Sequence, residues 1–486
     1  EVLNEWMPRL DSLSKMWPSL LDFENDLAKK VGPMSVMKPL KDRLIDIDHY
    51  YEDILLPQEP IDARAIGAVI NEFNVSAGIR CRSQAKTTEL KKKSTNSGNP
   101  YFGKRRRYLL DTIPCWIENQ HRYQIQHLGD RDEVFRCCAV LGWRGQEGGP
   151  KASDVKQRVV WMFPFAVNIE ELRYYQPAIE AAQNFNLVPA WVSMESVDDR
   201  ITRMFDTKGS DDLVICTDFS KFDQHFNPVM QSAAKEIISK LITPDSVGQY
   251  WLNNVFDIKY NIPMMYDYGS LRVGVHGMGS GSGGTNYDET VVHRALQYEA
   301  ALSQKQTLNP NSQCLGDDGI LTYPGITVED VVRAYSRHGQ EMNADKQYAS
   351  KHDCVYLRRW HHTKYRKDGI CVGVYSTARA LGRLCMQERY YDPEAWSKEA
   401  VALRQLSIIE NCKHHPMREE FVEFCMKRDK YRLGIDIPGF LDNIQSIAKK
   451  NVELMPDFLG YTKSLQDGDG VSGIANWWIV QYLKSM

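Results

Sequence analysis

Three aspartates in two segments of the 486-residue sequence could bind divalent cations, which prefer carboxylate oxygens as ligands. Asp317 and Asp318 are adjacent, and Asp218 lies well before them in the chain. Two such ions about 3.5–4 Å apart can bind both the attacking and the leaving oxygen of a phosphoryl transfer. The three carboxylates together therefore predict a two-metal site, although each segment alone is also typical of a solvated turn or a helix cap.

The acid pair lies in Gly316-Asp317-Asp318-Gly319, between apolar residues at 314–315 and 320–321. Gly and Asp tolerate the dihedral angles of tight turns, so this stretch predicts a β-hairpin with the acids at its tip. Two like charges in one turn repel each other, which favours a cation bound between them.

Asp218 follows the apolar run at 213–216, which is typical of a short strand buried on both faces. A carboxylate at the end of such a strand lies where a site can form. Asp223 could instead cap the helix that we predict at 229–241.

A glycine-rich loop at 273–286 lies between the two acid segments. Gly279, Gly281 and Gly284 fit the G-x-G-x-x-G pattern, so a nicotinamide-dependent enzyme that uses the loop at 279–284 is one hypothesis. That pattern requires a strand ending in an acid about 20 residues later, whereas the sequence there predicts a loop. We favour a loop of small residues that admits a ribose or a backbone ahead of a helix beginning near Thr290.

Basic residues that could hold phosphates occur in two segments. The first is a turn-rich stretch at 80–108. The second places Lys156 and Arg158 on one face of a predicted strand, which suits a triphosphate or a phosphate backbone. Solvated loops and surface ion pairs are the alternatives. Lys346 could protonate a leaving group or be an ordinary surface lysine.

Composition excludes several classes of protein. The formal charge of −3 excludes a uniformly basic surface but leaves room for a local basic groove. Eleven cysteines without C-x-x-C predict reduced thiols in a reducing compartment, and the His and Cys residues at 352–371 match no common zinc finger. No apolar run is long enough for a membrane span. Because the sequence starts at Glu1 without Met or a signal pattern, we expect it to begin inside a longer polypeptide.

Helices are predicted at 10–30, with a break near Pro18, and at 61–74 and 328–339. Most of the chain after the capping segment at 392–394 is also predicted to be helical. Residues 467–473 predict a flexible linker before an aromatic segment at 477–483. We expect that segment to dock in a groove of its own protein rather than to stack on a nucleotide.

Taken in order, the three central segments resemble motifs A, B and C of viral RNA-dependent RNA polymerases. They read Asp218-x4-Asp223, Ser280-Gly281-x3-Thr285 and Gly316-Asp317-Asp318. Other segments are similar to motifs G, F, D and E of that family, respectively Ser97-Gly98-Asn99-Pro100, Lys156-x-Arg158-Val159-Val160, Asp345-Lys346 and Tyr356-Leu357-Arg358-Arg359. The ordered set covers residues 97–360 and most resembles the polymerases of picobirnaviruses, which are double-stranded RNA viruses.

The resemblance implies an α+β right-hand fold. Fingers and a helical thumb would flank a palm with an antiparallel sheet and a βαββ-type core. The implied divisions are an N-terminal extension bridging fingers and thumb at 1–60, fingers at 61–210 and 241–270, palm at 211–240 and 271–370, and thumb with a C-terminal tail at 371–486.

The resemblance also implies template-directed RNA synthesis from ribonucleoside triphosphates, for viral genome replication and transcription. Asp218, Asp317 and Asp318 would hold two Mg²⁺ or Mn²⁺ ions, and Lys346 would protonate pyrophosphate. The implied nucleotide-binding residues are Lys156, Arg158, Asp223, Ser280, Gly281, Thr285 and Asn286. The implied template or RNA contacts are Ser97, Gly98, Pro100, Arg358 and Arg359. The implied partners are RNA and a viral capsid protein, without a membrane, in the virion interior and the host cytoplasm.

One position departs from the family pattern. Motif B usually continues Thr-x3-Asn, but Glu289 stands at that last position, so Asn286 and Asp288 are further candidates for the asparagine role. Reverse transcriptases place a bulky aromatic residue where this chain has Asp223, which favours ribonucleotides and makes a reverse transcriptase the runner-up. A non-catalytic RNA-binding or capsid-associated protein is the remaining alternative.

Overall fold

The computed structural model describes residues 1–34, 36–90, 95–118, 124–127, 134–385, 397–451 and 473–486. Across these ranges the chain combines many helices with small, mostly antiparallel sheets, which agrees with the predicted α+β class. Among the described helices, none combines the length and the apolar character that a membrane-spanning segment needs. No disulfide joins the eleven cysteines, all of which lie in the described ranges.

The helices are numbered in chain order. They are α1 (Val2–Trp6), α2 (Pro18–Ala28), α3 (Leu44–Glu52), α4 (Ala63–Phe73), α5 (Gln84–Glu89), α6 (Arg105–Thr112), α7 (Phe165–Asn184), α8 (Met194–Thr207), α9 (Pro228–Leu241), α10 (Ser246–Asn254), α11 (Ile258–Asn261), α12 (Thr285–Ser303), α13 (Val328–Ser336), α14 (Thr377–Cys385), α15 (Lys398–Glu410), α16 (Arg418–Met426), α17 (Ile444–Lys450) and α18 (Trp478–Lys484). A 3-10 helix at Met7–Lys15 precedes α2, so the predicted break near Pro18 is confirmed.

The strands are numbered in the same way. They are β1 (Cys115–Glu118), β2 (Gln124–His127), β3 (Val134–Arg136), β4 (Ala139–Gln146), β5 (Lys156–Met162), β6 (Val214–Thr217), β7 (Met264–Asp267), β8 (Ser270–Arg272), β9 (Gln313–Leu315), β10 (Asp318–Leu321), β11 (Tyr348–Ser350), β12 (Asp353–Tyr356), β13 (Arg359–His362) and β14 (Val374–Tyr375). Four sheets have the orders β1-β2-β3, β5-β4-β7-β8, β11-β6-β10-β9 and β12-β13-β14. The third is antiparallel throughout and contains both acid segments.

The chain divides into two compact units. The first comprises 1–37, 145–158 and 355–486, and its apolar core is formed by the helices at its two ends. Trp6 on α1 is fully buried, with its ring centroid 5.1 Å from that of Phe421 and 5.2 Å from that of Phe424 on α16. Burial of three aromatic side chains in one cluster is a large apolar contribution to stability, so α1 is an integral part of this unit.

The C-terminal segment docks on its own unit, as predicted. Ile479, Val480 and Leu483 on α18 are buried in the same core. The Glu410 carboxylate accepts hydrogen bonds from the backbone N–H groups of Trp478 at 3.0 Å and Ile479 at 2.9 Å. These N–H groups have no partner within the helix, so Glu410 satisfies the start of α18. Residues 467–472 of the predicted linker at 467–473 and the capping segment at 392–394 lie outside the described residues.

The second unit comprises 38–144 and 159–354 and contains both acid segments and the glycine-rich loop. Its central helix is α12, which is buried along almost its whole length. An all-round buried helix must satisfy its polar side chains internally. Thr290, His293 and Gln297 of α12 do so by bonding to the hairpin that carries the second acid segment.

One predicted boundary was wrong, and the alternative of a helix cap at Asp223 is excluded. Helix α12 begins at Thr285 rather than near Thr290, because the chain enters the helix directly from Gly284. Asp223 does not cap α9. Asn227 does so instead, with its Oδ1 accepting a hydrogen bond from the Met230 N–H at 3.2 Å. Asn is as good an N-cap as Asp, and Asn227 directly precedes Pro228, which favours the first helical position.

Candidate active site

Asp218 lies directly after β6, as the sequence predicted, and its side chain is exposed. Its backbone is clamped by one side chain, because Gln347 accepts from the Asp218 N–H at 2.7 Å and donates to its carbonyl at 2.9 Å. The Gln347 amide therefore fixes the Asp218 backbone while leaving the carboxylate available. Nothing in the sequence pattern marks Gln347, because its partner is distant in sequence.

The predicted hairpin is confirmed. In the β9–β10 pair Asp318 lies opposite Leu315, which leaves Gly316 and Asp317 as a two-residue turn. Gly316 has φ of +58°, the left-handed value that a turn of this kind demands at its first position and that glycine adopts without strain. Asp317 is exposed at the tip, and Asp318 is half-buried at the start of β10.

The two acid segments meet at one edge of the sheet. Strand β10 pairs with β6 in antiparallel register, with Gly319 opposite Thr217. Asp318 precedes Gly319 and Asp218 follows Thr217, so both acids lie one position beyond this pair. Neighbouring strands are about 4.8 Å apart, and residues far apart in sequence are therefore brought to the same edge.

The donor set fits hard divalent cations that keep open positions. Among the described residues, no group of three or more His, Cys, Asp or Glu side chains is arranged to hold a metal ion, which applies to the three aspartates as well as to the His and Cys residues at 352–371. Mg²⁺ in nucleotide enzymes is bound by one or two carboxylates together with substrate phosphates, rather than by an all-protein cage. Exposed Asp218 and Asp317 at one sheet edge match that kind of site.

Helix α12 holds the turn that carries Asp317. The Thr290 hydroxyl accepts from the Gly316 N–H at 2.9 Å, and His293 Nδ1 lies 2.8 Å from the Gly316 carbonyl oxygen. One turn further along the helix, Gln297 donates to the carbonyls of Gln313 at 2.9 Å and Ile320 at 3.2 Å. Residues 290, 293 and 297 share one face of a helix, so α12 bonds the hairpin along both strands and at the tip.

Burial lowers the pKa of His293 to about 4, so its imidazole is neutral at physiological pH and Nδ1–H donates to Gly316. The ring also passes very close to β10. A Cβ at Gly319 would lie 2.6 Å from His293 Cε1. Glycine at 319 is therefore required by the imidazole rather than by the turn.

Of the three candidates for the motif B asparagine role, Glu289 is the one that faces Asp223. Asp288 is fully buried and already bonded to Lys259 Nζ at 3.0 Å. The side-chain Oδ1 of Asn286 accepts from Trp191 Nε1 at 2.7 Å. Glu289 is 5% exposed, and the charges of Asp223 and, to a lesser extent, Asp317 act on its carboxyl.

The surroundings of the Glu289 carboxyl favour its protonated form. Burial, followed by the Asp223 charge and a hydrogen bond with Asp223, raises its pKa well above the usual range. In the described part of the chain no N–H or O–H donor reaches Glu289 Oε2. A protonated Glu289 can donate to Asp223, as the amide group of an asparagine would.

The glycine-rich loop packs tightly against Val159 and Trp161 of β5. The Ser280 hydroxyl lies 3.3 Å from the Val159 carbonyl and 3.4 Å from the Trp161 N–H, and the Thr285 hydroxyl donates to the Gly279 carbonyl at 3.2 Å. A Cβ at Gly281 would lie 1.6 Å from the Trp161 carbonyl oxygen. Ser280, Gly281 and Thr285 therefore all help to fix the loop in this structure.

The loop also contacts the segment that follows Asp218. The Met278 N–H donates to the Asp223 carbonyl at 2.9 Å, and Asp223 is half-buried in the turn before α9. The loop is therefore bonded directly to the first acid segment.

Lys346 lies in a single 3-10 turn at Ala344–Lys346 and is exposed. It directly precedes Gln347, the residue that clamps Asp218. The backbone therefore places Lys346 close to the first acid segment.

The motif G residues form a turn that is held from inside. Ser97 is 1% exposed, and its hydroxyl accepts from the Gly103 N–H at 3.1 Å. Gly98 has φ of +65°, and a Cβ there would lie 2.6 Å from the Phe163 carbonyl oxygen. Pro100 is half-buried. The side chain of Ser97 is therefore buried and supports this turn from within the protein.

Lys156 and Arg158 lie at the start of β5, in the first unit, and both are exposed as predicted. Arg158 Nε donates to Gln146 Oε1 at 2.6 Å. The structure does not place these two residues relative to the acids, which belong to the second unit.

Arg358 and Arg359 follow β12 in the first unit. Leu357 and Arg358 have φ of 54° and 60°, a left-handed pair that costs energy in residues other than glycine. Partial burial, with the nearby charges of Arg379 and Arg383, lowers the pKa of Arg358 to about 10. Backbone strain of this kind is concentrated at functional sites, and of the neighbouring cations Arg379 is already paired with Glu147 at 2.9 Å.

Comparison with known proteins gives one consistent family. The family model described as viral RNA-dependent RNA polymerase matches residues 64–370. A potential RNA-dependent RNA polymerase of human picobirnavirus is 62% identical over 489 residues, covering 100% of this chain and 91% of that protein.

Solved structures agree. The RNA-dependent RNA polymerase of a human picobirnavirus is 60% identical with a TM-score of 0.94, covering 100% of this chain and 91% of the other. An insertion-loop deletion mutant of a human picobirnavirus polymerase is 58% identical with a TM-score of 0.92, covering 100% and 90%.

Proposed function

The chain belongs to the viral RNA-dependent RNA polymerases, and from that premise we propose that it extends RNA with ribonucleoside triphosphates at two metal ions held by Asp218 and Asp317. It is an RNA-directed RNA polymerase, a nucleotidyltransferase, of the picobirnavirus kind. The observation that carries the proposal is the register of β6 and β10, which brings the two acid segments to one sheet edge. Neither a reverse transcriptase nor a nicotinamide-dependent enzyme finds support in the comparisons.

Asp218 and Asp317 would hold two Mg²⁺ or Mn²⁺ ions, which when bound supply Lewis-acid activation of the primer hydroxyl and stabilise charge at the phosphorus. Asp318 is half-buried and supports the site from the start of β10. Lys346, next to the residue that clamps Asp218, donates a proton to the leaving pyrophosphate.

Selection of the sugar falls to Asp223 and Glu289. A carboxylate at 223 accepts a hydrogen bond from a ribose 2′-hydroxyl, and a deoxynucleotide cannot supply that bond. Glu289, whose pKa is raised by burial and by the Asp223 charge, donates in its protonated form to Asp223 and keeps that carboxylate in place. A site built to bond a hydroxyl discriminates strongly against analogues that lack it, because its polar group is then left unsatisfied.

The remaining contacts follow from charge and position. Lys156 and Arg158 bind the triphosphate, and Arg358 and Arg359 bind the RNA backbone. Ser280, Gly281, Thr285 and Asn286 shape the loop beside the nucleotide. The turn containing Ser97, Gly98 and Pro100 guides the template.

We also assign the divisions of a right-hand polymerase fold to this chain. The fingers comprise 61–210 and 241–270, and the palm comprises 211–240 and 271–370. The thumb begins at 371, and the extension at 1–60 bridges fingers and thumb. The proposed setting is the virion interior and the host cytoplasm, with a viral capsid protein as a partner.

The test is incorporation of labelled nucleotides on an RNA template by the purified chain. We expect incorporation of ribonucleotides that requires Mg²⁺ or Mn²⁺ and is abolished by chelation. Equal use of deoxynucleotides would overturn the sugar assignment, and RNA binding without incorporation would overturn the enzymatic one.

A further inference from the structure

Outside the acid cluster, a chain of hydrogen bonds runs from the basic segment that contains α6 to the loop at 279–284. All of its members belong to the second unit. Its centre is α7, which carries two buried polar side chains, Asn168 and Glu171, that face this loop.

Glu171 is fully buried, and three donors converge on its carboxylate. Oε1 accepts from the Gly283 N–H at 3.0 Å and from Asn168 Nδ2 at 3.0 Å, and Oε2 accepts from the Ser282 hydroxyl. Burial raises the pKa of Glu171, while the charge of Lys259 acts in the opposite direction. A buried carboxylate is costly unless donors satisfy it, so Glu171 ties the loop firmly to α7.

Asn168 is 3% exposed and extends the chain in both directions. Its Nδ2 also donates to the Gly281 carbonyl at 3.1 Å, and its Oδ1 accepts from Arg105 Nη2 at 2.7 Å. The amide has donors on one atom and an acceptor on the other. Asn168 therefore joins a cation on one side to the loop on the other.

Arg105 is the outer end of the chain. Its Nε donates to the Asn96 carbonyl at 3.2 Å, and its guanidinium carbon lies 5.0 Å from the centroid of the Phe165 ring. Burial lowers its pKa to about 10, and no charged group among the described residues offsets that effect. A guanidinium has five N–H donors in a fork that matches phosphate oxygens. The uncompensated charge and the spare donors fit an RNA phosphate.

We propose that Asn168 and Glu171 are positioning residues that connect a phosphate-binding Arg105 to the loop at 279–284, so that bound template RNA sets this loop for the incoming nucleotide. The inference rests on the proposed function, in which the loop lies beside the nucleotide. A phosphate at Arg105 fixes its guanidinium, Arg105 fixes the Asn168 amide, and Asn168 and Glu171 together bond Gly281, Ser282 and Gly283.

A double-mutant cycle of Arg105→Ala and Glu171→Gln tests this connection. We expect each single variant to raise the KM for nucleotide about fivefold on a bound template while kcat changes little, within the usual range of site-to-site coupling. Arg105→Ala also weakens template binding. The double variant should raise KM no more than the larger single change, because both substitutions interrupt one chain.

Arg107→Ala is the matched control. Arg107 is an exposed cation on the same helix, beside the Tyr108 ring at 5.7 Å. Its effect on KM should multiply with that of Glu171→Gln. Ser282→Ala, which removes a donor without changing charge, replaces Glu171→Gln if that variant does not fold.

Multiplying effects of Arg105→Ala and Glu171→Gln, or an unchanged KM for nucleotide in Arg105→Ala, would overturn the connection. The proposed function fails separately, if Asp317→Asn retains incorporation. The two failures are therefore distinguishable in one set of assays.

Discussion

The imidazole of His293 donates to the carbonyl oxygen of Gly316 across 2.8 Å, and this bond ties helix α12 to the turn that presents Asp317. The same ring requires glycine at 319, because a Cβ there would meet it at 2.6 Å. The position of the exposed acid thus depends on a fully buried, neutral side chain.

Replacing His293 should therefore affect chemistry more than binding. In His293→Ala the turn loses its bond to α12, and we expect kcat to fall about 10- to 100-fold, since displacements near 1 Å can have effects of that size. KM for nucleotide should change little. His293→Asn, whose Nδ2 can replace the Nδ1 donor, should recover much of the rate. Equal rates for the Ala and Asn variants would contradict this role.

Acid should destabilise the protein through two buried imidazoles. Burial lowers the pKa of His276 and of His293 to about 4. Because the unfolded chain then binds more protons than the folded one, stability is full above the ordinary His pKa of about 6.5 and is lost as pH falls towards 4. Each histidine should lower the free energy of unfolding by about 2 kcal/mol at pH 5 relative to pH 7. Thermal unfolding of His293→Asn should show a smaller shift of Tm between these pH values than the unmodified chain.

The contribution of Glu289 to stability should depend on pH in the opposite sense. Its raised pKa means that the folded protein holds a proton that the unfolded chain releases, so stability falls as pH rises above about 4.5 towards the folded pKa. Glu289→Gln is neutral at every pH. In chelator, its Tm should exceed that of the unmodified chain by more at pH 8 than at pH 5. A pH-independent difference would show that Glu289 is not held protonated.

Asp223 and Glu289 together should control whether a ribonucleotide or a deoxynucleotide is used. Asp223→Ala removes the proposed acceptor for the 2′-hydroxyl, and we expect the ratio of kcat/KM for ribonucleotide to deoxynucleotide to fall at least about tenfold. Glu289→Gln keeps a donor beside Asp223 and should preserve the ratio, whereas Glu289→Ala should lower it. Unchanged discrimination in Asp223→Ala would remove Asp223 from this role.

Gly281 should tolerate no side chain. In Gly281→Ala the new methyl group would lie 1.6 Å from the Trp161 carbonyl oxygen, so the loop must move. We expect the free energy of unfolding to fall by about 1–3 kcal/mol or more. Gly67→Ala is the same chemical change within α4, where nothing lies within 4 Å of the new Cβ, and should stabilise by about 0.5–1 kcal/mol. Opposite shifts in Tm for these two variants are the expected result.

The local elements of the site could be predicted from sequence because short-range chemistry dictates them. The Gly316 turn follows from the dihedral freedom of glycine, and the strand before Asp218 follows from its apolar run. Both are present in the structure. The start of α12 was missed by five residues, because the glycine-rich pattern leading into Thr285 gives no helical periodicity.

Long-range partners could not be predicted. Gln347 clamps Asp218, and Glu289 lies beside Asp223, through contacts that only the tertiary fold creates. The departure of Glu289 from the family pattern was visible in the sequence, but its protonation depends on burial. Burial of a single polar residue is set by packing around the whole helix rather than by its neighbours in the chain.

The most direct test of the account is single-nucleotide incorporation on an RNA template by the unmodified chain, Asp218→Asn, Asp317→Asn and Asp318→Asn, at saturating Mg²⁺. These substitutions keep the shape of the side chain and remove its charge. We predict undetectable incorporation for Asp218→Asn and Asp317→Asn with RNA binding retained, and a partial loss for Asp318→Asn. Incorporation by Asp317→Asn at the rate of the unmodified chain would contradict the assignment of this sheet edge as the active site.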